Sequence, residues 1–271
     1  MAKVLVVTSG KGGVGKTTSA AALGAALAKS GQRVVLVDFD VGLRNLDLIL
    51  GAERRVVFDM INVIQGEAKL AQALIRDKRI DTLSLLPASQ TRDKDALTAE
   101  GVQRVIGELR EKFDWVICDS PAGIEKGASL AMRHADVAVI VTNPEISSVR
   151  DSDRIIGLLD AKTEVAERGD RMPKHLLITR YDVARAARGD MLKTDDILEI
   201  LSVPLLGIIP ESQEVLRASN LGMPVTLSNP ASGPARAYAD AARRLNGEEV
   251  AFAIPRERKG FMDRLFGRRV A

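Results

Sequence analysis

The sequence feature that most constrains this chain is a glycine-rich stretch that follows an apolar run and precedes an alanine-rich one. Residues 10–18 read Gly-Lys-Gly-Gly-Val-Gly-Lys-Thr-Thr and fulfil the phosphate-loop pattern G-x-x-x-x-G-K-T. Glycines let successive backbone N–H groups turn towards one anion, and a helix that starts near Lys16 adds the positive end of its dipole. The stretch therefore predicts a strand, a phosphate-binding loop and a helix, in that order.

The residue types in this loop have separate tasks. Lys16 is placed to reach the β- and γ-phosphates of a nucleoside triphosphate, and the Thr17 hydroxyl is placed to bind Mg²⁺. The remaining loop residues are expected to surround the phosphates: Gly10, Lys11, Gly12, Gly13, Val14, Gly15 and Thr18. The ordinary pattern does not require Lys11. It either points towards a nucleotide held by another subunit or is a solvated surface lysine, and the loop alone does not decide between the two.

Apolar runs and helical segments alternate along the rest of the chain. Further strands are predicted at 33–38, 82–86, 114–119, 137–141, 174–179 and 204–209. The helices between them include 56–65, 69–75 and 148–160, the last with Ser147 as its N-cap. This alternation is typical of an α/β fold with a mainly parallel, twisted sheet and helices on both faces. Together with the phosphate loop it predicts the P-loop NTPase class. We predict one such domain over residues 1–250, and a linker with an amphipathic C-terminal segment over residues 251–271.

Three carboxylates follow predicted strands, where open α/β sheets bind their ligands. Asp119 ends the apolar run that starts at Trp115 and has the place of a Walker B aspartate, which holds Mg²⁺. The alternative is a turn residue at a strand end. Asp38 is expected to hold the water ligands of the same metal. Asp40 is the candidate that orients the attacking water, unless it only forms a turn, because phosphoryl transfer needs positioning more than a strong base.

Other reactive side chains are few. The N–H of Gly123, four residues after Asp119, is a candidate donor to the γ-phosphate, which would let this loop sense the bound nucleotide. The single cysteine, Cys118, excludes a disulfide within the chain and a cysteine metal cluster, and its place in a strand predicts a buried, inert thiol. The two histidines, His134 and His175, lack metal-ligand spacing and are expected at the surface or at a strand edge.

The C-terminal segment carries the basic character of the chain. From Arg256 onward there are six basic and two acidic residues, a net charge of +4, which leaves −1 for residues 1–255 out of the total of +3. The large apolar side chains that share one arc of a helical wheel are Phe261, Met262, Leu265 and Phe266. This pattern favours a short amphipathic helix on an anionic membrane surface; the alternative is a tail that packs on the body. With no signal peptide and no apolar run of ~18 residues, a cytoplasmic, membrane-peripheral protein is expected.

Together these motifs resemble the MinD/ParA family of ATPases, and within it the septum-site-determining branch. Residues 11–18 match the deviant Walker A motif with its signature lysine. Segments 37–47 and 118–125 resemble the switch segments of that branch, and 259–267 resembles its membrane-targeting sequence. The resemblance runs over essentially the full length of the chain.

The resemblance implies ATP and Mg²⁺ as cofactors. It implies a face-to-face homodimer formed with ATP, in which Lys11 contacts the nucleotide of the opposite subunit. The residues with implied catalytic roles are Lys11, Lys16 and Asp40, and the implied metal site comprises Thr17, Asp38 and Asp119. Adenine would lie between Arg180 and the pair Pro210 and Glu211. Residues 179–182 read Thr-Arg-Tyr-Asp, which departs from the guanine motif N-K-x-D at its first two positions and so weakens guanine recognition.

The resemblance also implies partners. The dimer would bind the cytoplasmic face of the inner membrane, recruit a MinC-type division inhibitor and be released by a MinE-type activator, which positions the division septum. No specific nucleic acid is expected.

Three alternatives remain at this stage. A ParA-like DNA-partition or cargo-positioning ATPase would carry basic residues on the body, which the charge of −1 for residues 1–255 argues against. An iron protein of the same superfamily needs more than one cysteine. A scaffold without hydrolysis would leave Asp40 and Asp119 without a task.

Overall fold

An eight-stranded sheet forms the centre of the computed structural model, which describes residues 2–252. The strands are β1 (Lys3–Thr8), β2 (Val34–Asp38), β3 (Ile75–Arg76), β4 (Leu83–Leu86), β5 (Trp115–Asp119), β6 (Val137–Thr142), β7 (Lys174–Tyr181) and β8 (Leu205–Pro210). Their order is β3-β4-β2-β5-β1-β6-β7-β8, and all neighbours are parallel except β3 and β4. The predicted α/β class is confirmed, and the parallel strands bring their carboxyl ends to one edge.

Helices connect the strands and cover both faces of the sheet. The longer ones are α1 (Lys16–Lys29), α5 (Ala99–Lys112), α6 (Lys126–Arg133), α7 (Ile146–Ala161), α10 (Thr194–Leu201), α11 (Gln213–Asn220) and α13 (Gly233–Leu245). The shorter ones are α2 (Leu46–Ile49), α3 (Met60–Ile64), α4 (Leu70–Ala73), α8 (Glu164–Glu167), α9 (Val183–Arg188) and α12 (Val225–Ser228). Among the described residues no helix is long and apolar enough to cross a membrane.

The continuous apolar runs of the strands follow from burial on both faces. Successive side chains of a strand point to opposite faces, and β1 divides accordingly. Val4 and Val6 belong to the cluster packed against α5, α6 and α7, whereas Leu5 and Val7 belong to the cluster packed against α1 and α13. Such a strand needs apolar residues at every position, and this explains why the sequence showed runs rather than alternation.

Some sequence-based predictions were wrong in detail. The helix predicted at 69–75 ends at Ala73, and Ile75 and Arg76 form the antiparallel edge strand β3. Ser147 is not the N-cap of α7, because Glu145 occupies that position. His134 is not at the surface: it is buried, and its Nδ1 lies 2.9 Å from Glu164 Oε1. Cys118 is buried as predicted, and burial raises the pKa of its thiol to about 12.

Arg244 holds the last described residues against the body. Arg244 on α13 donates hydrogen bonds to the carbonyls of Leu206 (2.7 Å), Val250 (2.9 Å) and Ala251 (2.8 Å). Its guanidinium carbon also lies 4.1 Å from the centroid of the Phe252 ring. The predicted membrane-binding residues Phe261, Met262, Leu265 and Phe266 lie outside the described residues, and the domain boundary at 250 stays a prediction.

Candidate functional site

The phosphate loop has the local conformation that its glycines predict. Gly13 and Gly15 adopt positive φ values of 75° and 97°, a region that side chains disfavour. Gly15 holds the N-cap position of α1 without a side-chain cap, so the first N–H groups of the helix are left for an external acceptor. These groups and the helix dipole make an anion site at the carboxyl end of β1.

The loop is packed tightly on one side and open on the other. A Cβ on Gly10 would lie 2.2 Å from the backbone oxygen of Asp151, so α7 passes directly against this residue. Val14 is buried. Gly12 is exposed, and Thr18 is half-buried in the first turn of α1. The exposed face is therefore the one formed by the middle of the loop.

Asp38 and Asp119 lie side by side at the carboxyl ends of β2 and β5, where they are partners in the strand register. Both are buried. Burial raises the pKa of Asp38 to about 7, although the N–H groups of Asp40 (2.8 Å) and Leu46 (3.2 Å) donate to its carboxylate. Burial and the charge of Asp38 together hold the pKa of Asp119 well above its ordinary value. Two carboxylates so placed need a cation or a proton to compensate their charge.

The groups around this pair are those that the sequence predicted. Thr17 donates a hydrogen bond to Asp119, and Lys16 is buried close to Asp119 and Asp40. Burial lowers the pKa of Lys16, while the two carboxylates oppose that shift. The structure thus brings Lys16, Thr17, Asp38, Asp40 and Asp119 together.

This cluster fits Mg²⁺ that is bound with a phosphate. Asp119 Oδ1 is buried without a hydrogen-bond partner, and the Thr17 hydroxyl lies beside the same carboxylate. Within residues 2–252 no group of three or more His, Cys, Asp or Glu side chains is placed to hold a metal. Mg²⁺ usually takes one or two carboxylates and completes its shell with water and phosphate oxygens, which suits this site.

Lys11 is held within its own subunit. Its Nζ lies 3.0 Å from Glu145 Oε2 and 3.2 Å from Ser147 Oγ, at the start of α7. Both partners are 134 or more positions away in sequence, and no motif of the sequence pointed to them. A Lys11 that reached another subunit would first have to leave Glu145 and Ser147.

The Gly123 N–H, predicted to contact the γ-phosphate, donates to Ser9 O at 3.2 Å. The hydroxyl of neighbouring Ser120 lies 3.3 Å from that of Thr8. The segment after Asp119 is therefore docked on the start of the phosphate loop, and Gly123 would exchange Ser9 O for a phosphate oxygen.

The residues predicted to surround the base also come together. Arg180 is exposed with a positive φ of 54° at the end of β7. Pro210 is the register partner of Tyr181, and the Glu211 N–H donates to Tyr181 O at 3.0 Å. Asp182 accepts a hydrogen bond from the Arg185 N–H at 3.0 Å and so caps α9.

Fold and site together define a P-loop nucleotide-binding protein. The family described as the CobQ/CobB/MinD/ParA nucleotide binding domain matches residues 5–225. The septum site-determining protein MinD of Escherichia coli (strain K12) is 60% identical over 270 residues, which cover 98% of this chain and 100% of that relative.

Two solved structures are similar over most of the chain. The MinC:MinD cell division protein complex of Aquifex aeolicus has a TM-score of 0.84 and 42% identity, over 93% of this chain and 99% of that chain. The septum site-determining protein MinD complexed with Mg-ADP from Pyrococcus horikoshii OT3 has a TM-score of 0.80 and 30% identity, over 91% and 96%. The chain belongs to the MinD family of septum site-determining proteins, and the resemblance drawn from its motifs is confirmed.

Proposed function

We propose that this chain is a Mg²⁺-dependent ATPase that positions the cell-division septum. The observation that carries the proposal is the buried pair Asp38 and Asp119, with an unpartnered carboxylate oxygen, directly beside Lys16 and Thr17 of a phosphate loop. The identity of 60% to the Escherichia coli septum site-determining protein supports the cellular role.

The residues divide the reaction between them. The N–H groups of the loop and of the α1 N-terminus bind the phosphates, and Lys16 neutralises the β- and γ-oxygens. Thr17 and Asp119 would hold Mg²⁺, with Asp38 beside it, and the ion would supply charge neutralisation at the phosphates. Asp40 orients the attacking water. Arg180, Pro210 and Glu211 contact adenine.

We further propose that ATP joins two copies face to face. Lys11 then leaves Glu145 and Ser147 and contacts the nucleotide of the partner subunit. An ordinary phosphate loop does not require a lysine at position 11. The ion pair of Lys11 with Glu145 at the start of α7 is about half exposed, so it is weak and Lys11 can leave it for another partner.

The dimer is proposed to bind the cytoplasmic face of the inner membrane through residues 261–266. The sequence gives this segment four large apolar residues and basic flanks, but ordering a short helix costs about as much as burying them gains. Two segments on one dimer gain an effective-concentration advantage of ~10²–10⁴, so ATP would control membrane binding through dimerisation.

The proposed protein partners are a MinC-type division inhibitor and a MinE-type activator. A solved relative is a MinC:MinD complex, which supports the first. The second rests on the resemblance of the switch segments.

Two measurements test the function. Phosphate release from ATP is expected to need Mg²⁺, to rise with anionic vesicles and a MinE-type activator, and to be lost in Asp40→Asn. Sedimentation with phosphatidylglycerol vesicles is expected with ATP but not with ADP or without nucleotide. Equal sedimentation in all three conditions would contradict the dimer mechanism, and a protein that neither binds nor hydrolyses ATP would contradict the enzyme.

A DNA-partition role is the less supported alternative. It would require ATP-dependent binding to DNA in place of vesicles, whereas residues 1–255 carry a net charge of −1. Parallel sedimentation with DNA and with vesicles separates the two roles.

A further inference from the structure

Thr179 is a buried residue of β7 whose side chain contacts the backbone of the phosphate loop at Val14. Its hydroxyl oxygen lies 2.7 Å from Val14 O, 2.9 Å from Asn143 Oδ1 and 3.3 Å from Thr142 O. Thr179 is 165 positions from Val14, and the contact forms because β6 and β7 end beneath the loop. The side chain is 4% exposed, so water does not compete for the hydroxyl.

The direction of these hydrogen bonds follows from a proton count. A threonine hydroxyl has one proton and two lone pairs, so it donates to one of the three oxygens, and Val14 O is the nearest. The oxygen and nitrogen of an asparagine amide are assigned from their hydrogen bonds. With its amide turned, Asn143 donates from Nδ2 to Thr179 Oγ1. The result is a relay in which Asn143 donates to Thr179 and Thr179 donates to Val14 O.

The relay fixes the orientation of one peptide group in the loop. In a trans peptide the carbonyl and the following N–H point in opposite directions. A Val14 carbonyl held towards Thr179 therefore turns the Gly15 N–H away from β7. Gly15 has a positive φ of 97°, so its backbone would otherwise be free to adopt several orientations.

We propose that Thr179 is a positioning residue for the phosphate loop: by holding the Val14 carbonyl, it aims the Gly15 N–H at the β-phosphate of the bound nucleotide. This inference rests on the nucleotide binding proposed above. It gives Thr179 a task that is separate from base recognition by neighbouring Arg180.

The test uses full-length protein and variants that differ by one hydroxyl. Thr179→Val removes the donor and keeps the shape, and Thr179→Ser keeps the donor. Thr226→Val is the matched control, because the Thr226 hydroxyl is also buried and donates to a backbone carbonyl, Ala22 O at 3.2 Å on α1. Calorimetry measures Mg²⁺-dependent binding of ADP and of pyrophosphate, and circular dichroism reports the unfolding temperature without ligand.

Loss of one buried hydrogen bond corresponds to about tenfold in affinity. Thr179→Val is expected to weaken ADP and pyrophosphate by the same factor of about ten, while Thr179→Ser and Thr226→Val stay within about twofold of the wild type. If Thr179→Val does not fold, Thr179→Ala is measured in its place.

Three results would overturn the inference. The first is unchanged ligand binding by Thr179→Val. The second is weaker binding of ADP without weaker binding of pyrophosphate, which would mean that the hydroxyl acts on the base. The third is an equal loss of affinity in Thr226→Val, which would mean that a buried hydroxyl affects binding only through general stability. A wild type that binds neither ligand would instead contradict the proposed function.

Discussion

Single residues decide the chemistry of this site mainly through buried charge. Asp38 and Asp119 are adjacent carboxylates in the interior, and such a pair is costly unless a cation or a proton compensates it. The loop lysine Lys16 compensates in part. The carboxylate pair therefore lowers the stability of the ligand-free protein and raises its affinity for a metal ion bound with phosphates.

Asp119→Asn tests this trade. The amide removes one of two like charges and still accepts the hydrogen bond from Thr17, so the ligand-free protein is expected to unfold at a higher temperature at pH 8, by about 2–4 °C for each kcal/mol gained. The increase in unfolding temperature on adding ADP and Mg²⁺ is expected to shrink. Both are read from one set of thermal scans, and a less stable ligand-free variant would contradict the charge argument.

A second comparison concerns Lys11. Lys11→Ala is expected to abolish ATP-dependent dimerisation, because it removes the group proposed to contact the partner's nucleotide. Glu145→Gln removes only the charge that holds Lys11 in its own subunit. This ion pair is 41% and 56% exposed at its two side chains, so its loss changes the energy by at most about 1 kcal/mol.

Glu145→Gln is accordingly expected to dimerise with ATP as well as the wild type or up to about fivefold better per subunit. Light scattering with ATP measures both variants. A Lys11→Ala protein that still dimerised would show that the lysine acts only within its own subunit.

Sequence reasoning found the residues whose positions follow from strand order. Asp38, Asp40 and Asp119 were predictable because parallel strands bring their ends to one edge. Glu145 and Thr179 were not, because their contacts with Lys11 and Val14 span 134 and 165 positions and depend on how β6, β7 and α7 pack. The only available signal for Thr179 was its place in the segment that departs from the guanine motif.

Among the elements, α7 constrains the phosphate loop most directly. Its backbone leaves no room for a Cβ on Gly10, whereas the nearest atom to a Cβ on Gly12 would be Ala122 Cβ at 3.9 Å. Gly10→Ala is expected to force the loop and the helix apart and to lower the free energy of unfolding by about 1–3 kcal/mol or more. Gly12→Ala, the control, is expected to stay within about 0.5 kcal/mol.

Urea unfolding without nucleotide measures both glycine variants. Equal stabilities of the two variants would mean that α7 can move away from the loop at little cost and does not determine the loop conformation. The comparison is made without ligand because an added methyl group on Gly12 would also approach bound phosphates.

The long elements were predictable and the short ones were not. Apolar runs predicted the core strands, and helical spacing over 148–160 predicted most of α7. The two-residue strand β3 exists only because Ile75 pairs with Leu85, and α2, α4, α8 and α12 are single turns. Such elements are defined by tertiary contacts rather than by propensity.

For the molecule as a whole, His134 makes stability depend on pH. It joins the end of α6 to α8 through Glu164, with Arg133 and Arg110 also nearby, and its Nε2 is buried without a partner. Burial lowers the pKa of His134 although Glu164 opposes the shift, and burial also lowers the pKa of His175. At these two histidines the unfolded chain therefore binds protons more readily than the folded one, whereas the raised pKa values of Asp38 and Asp119 act in the opposite sense.

The contribution of these neutral, buried histidines to the free energy of unfolding is complete above the ordinary histidine pKa of about 6.5. It is lost as the pH falls through the lower pKa that each histidine has in the folded protein. His134→Gln is expected to lose less stability than the wild type between pH 8 and pH 5.5, and the double variant with His175→Gln to lose still less. Urea unfolding at the two pH values measures this. A steeper loss in His134→Gln would mean that the charged pair with Glu164 dominates.

Arg244 has a consequence for the geometry of attachment. By binding the carbonyls of Val250 and Ala251, it holds the chain against the body beyond the end of α13 as far as Phe252, nine positions before Phe261 in the sequence. In a symmetric dimer of the proposed kind, two such points have one fixed separation. If the C-terminal segments bind a bilayer as proposed, the distance between their two attachment sites would therefore be limited by the folded body and not by α13 alone.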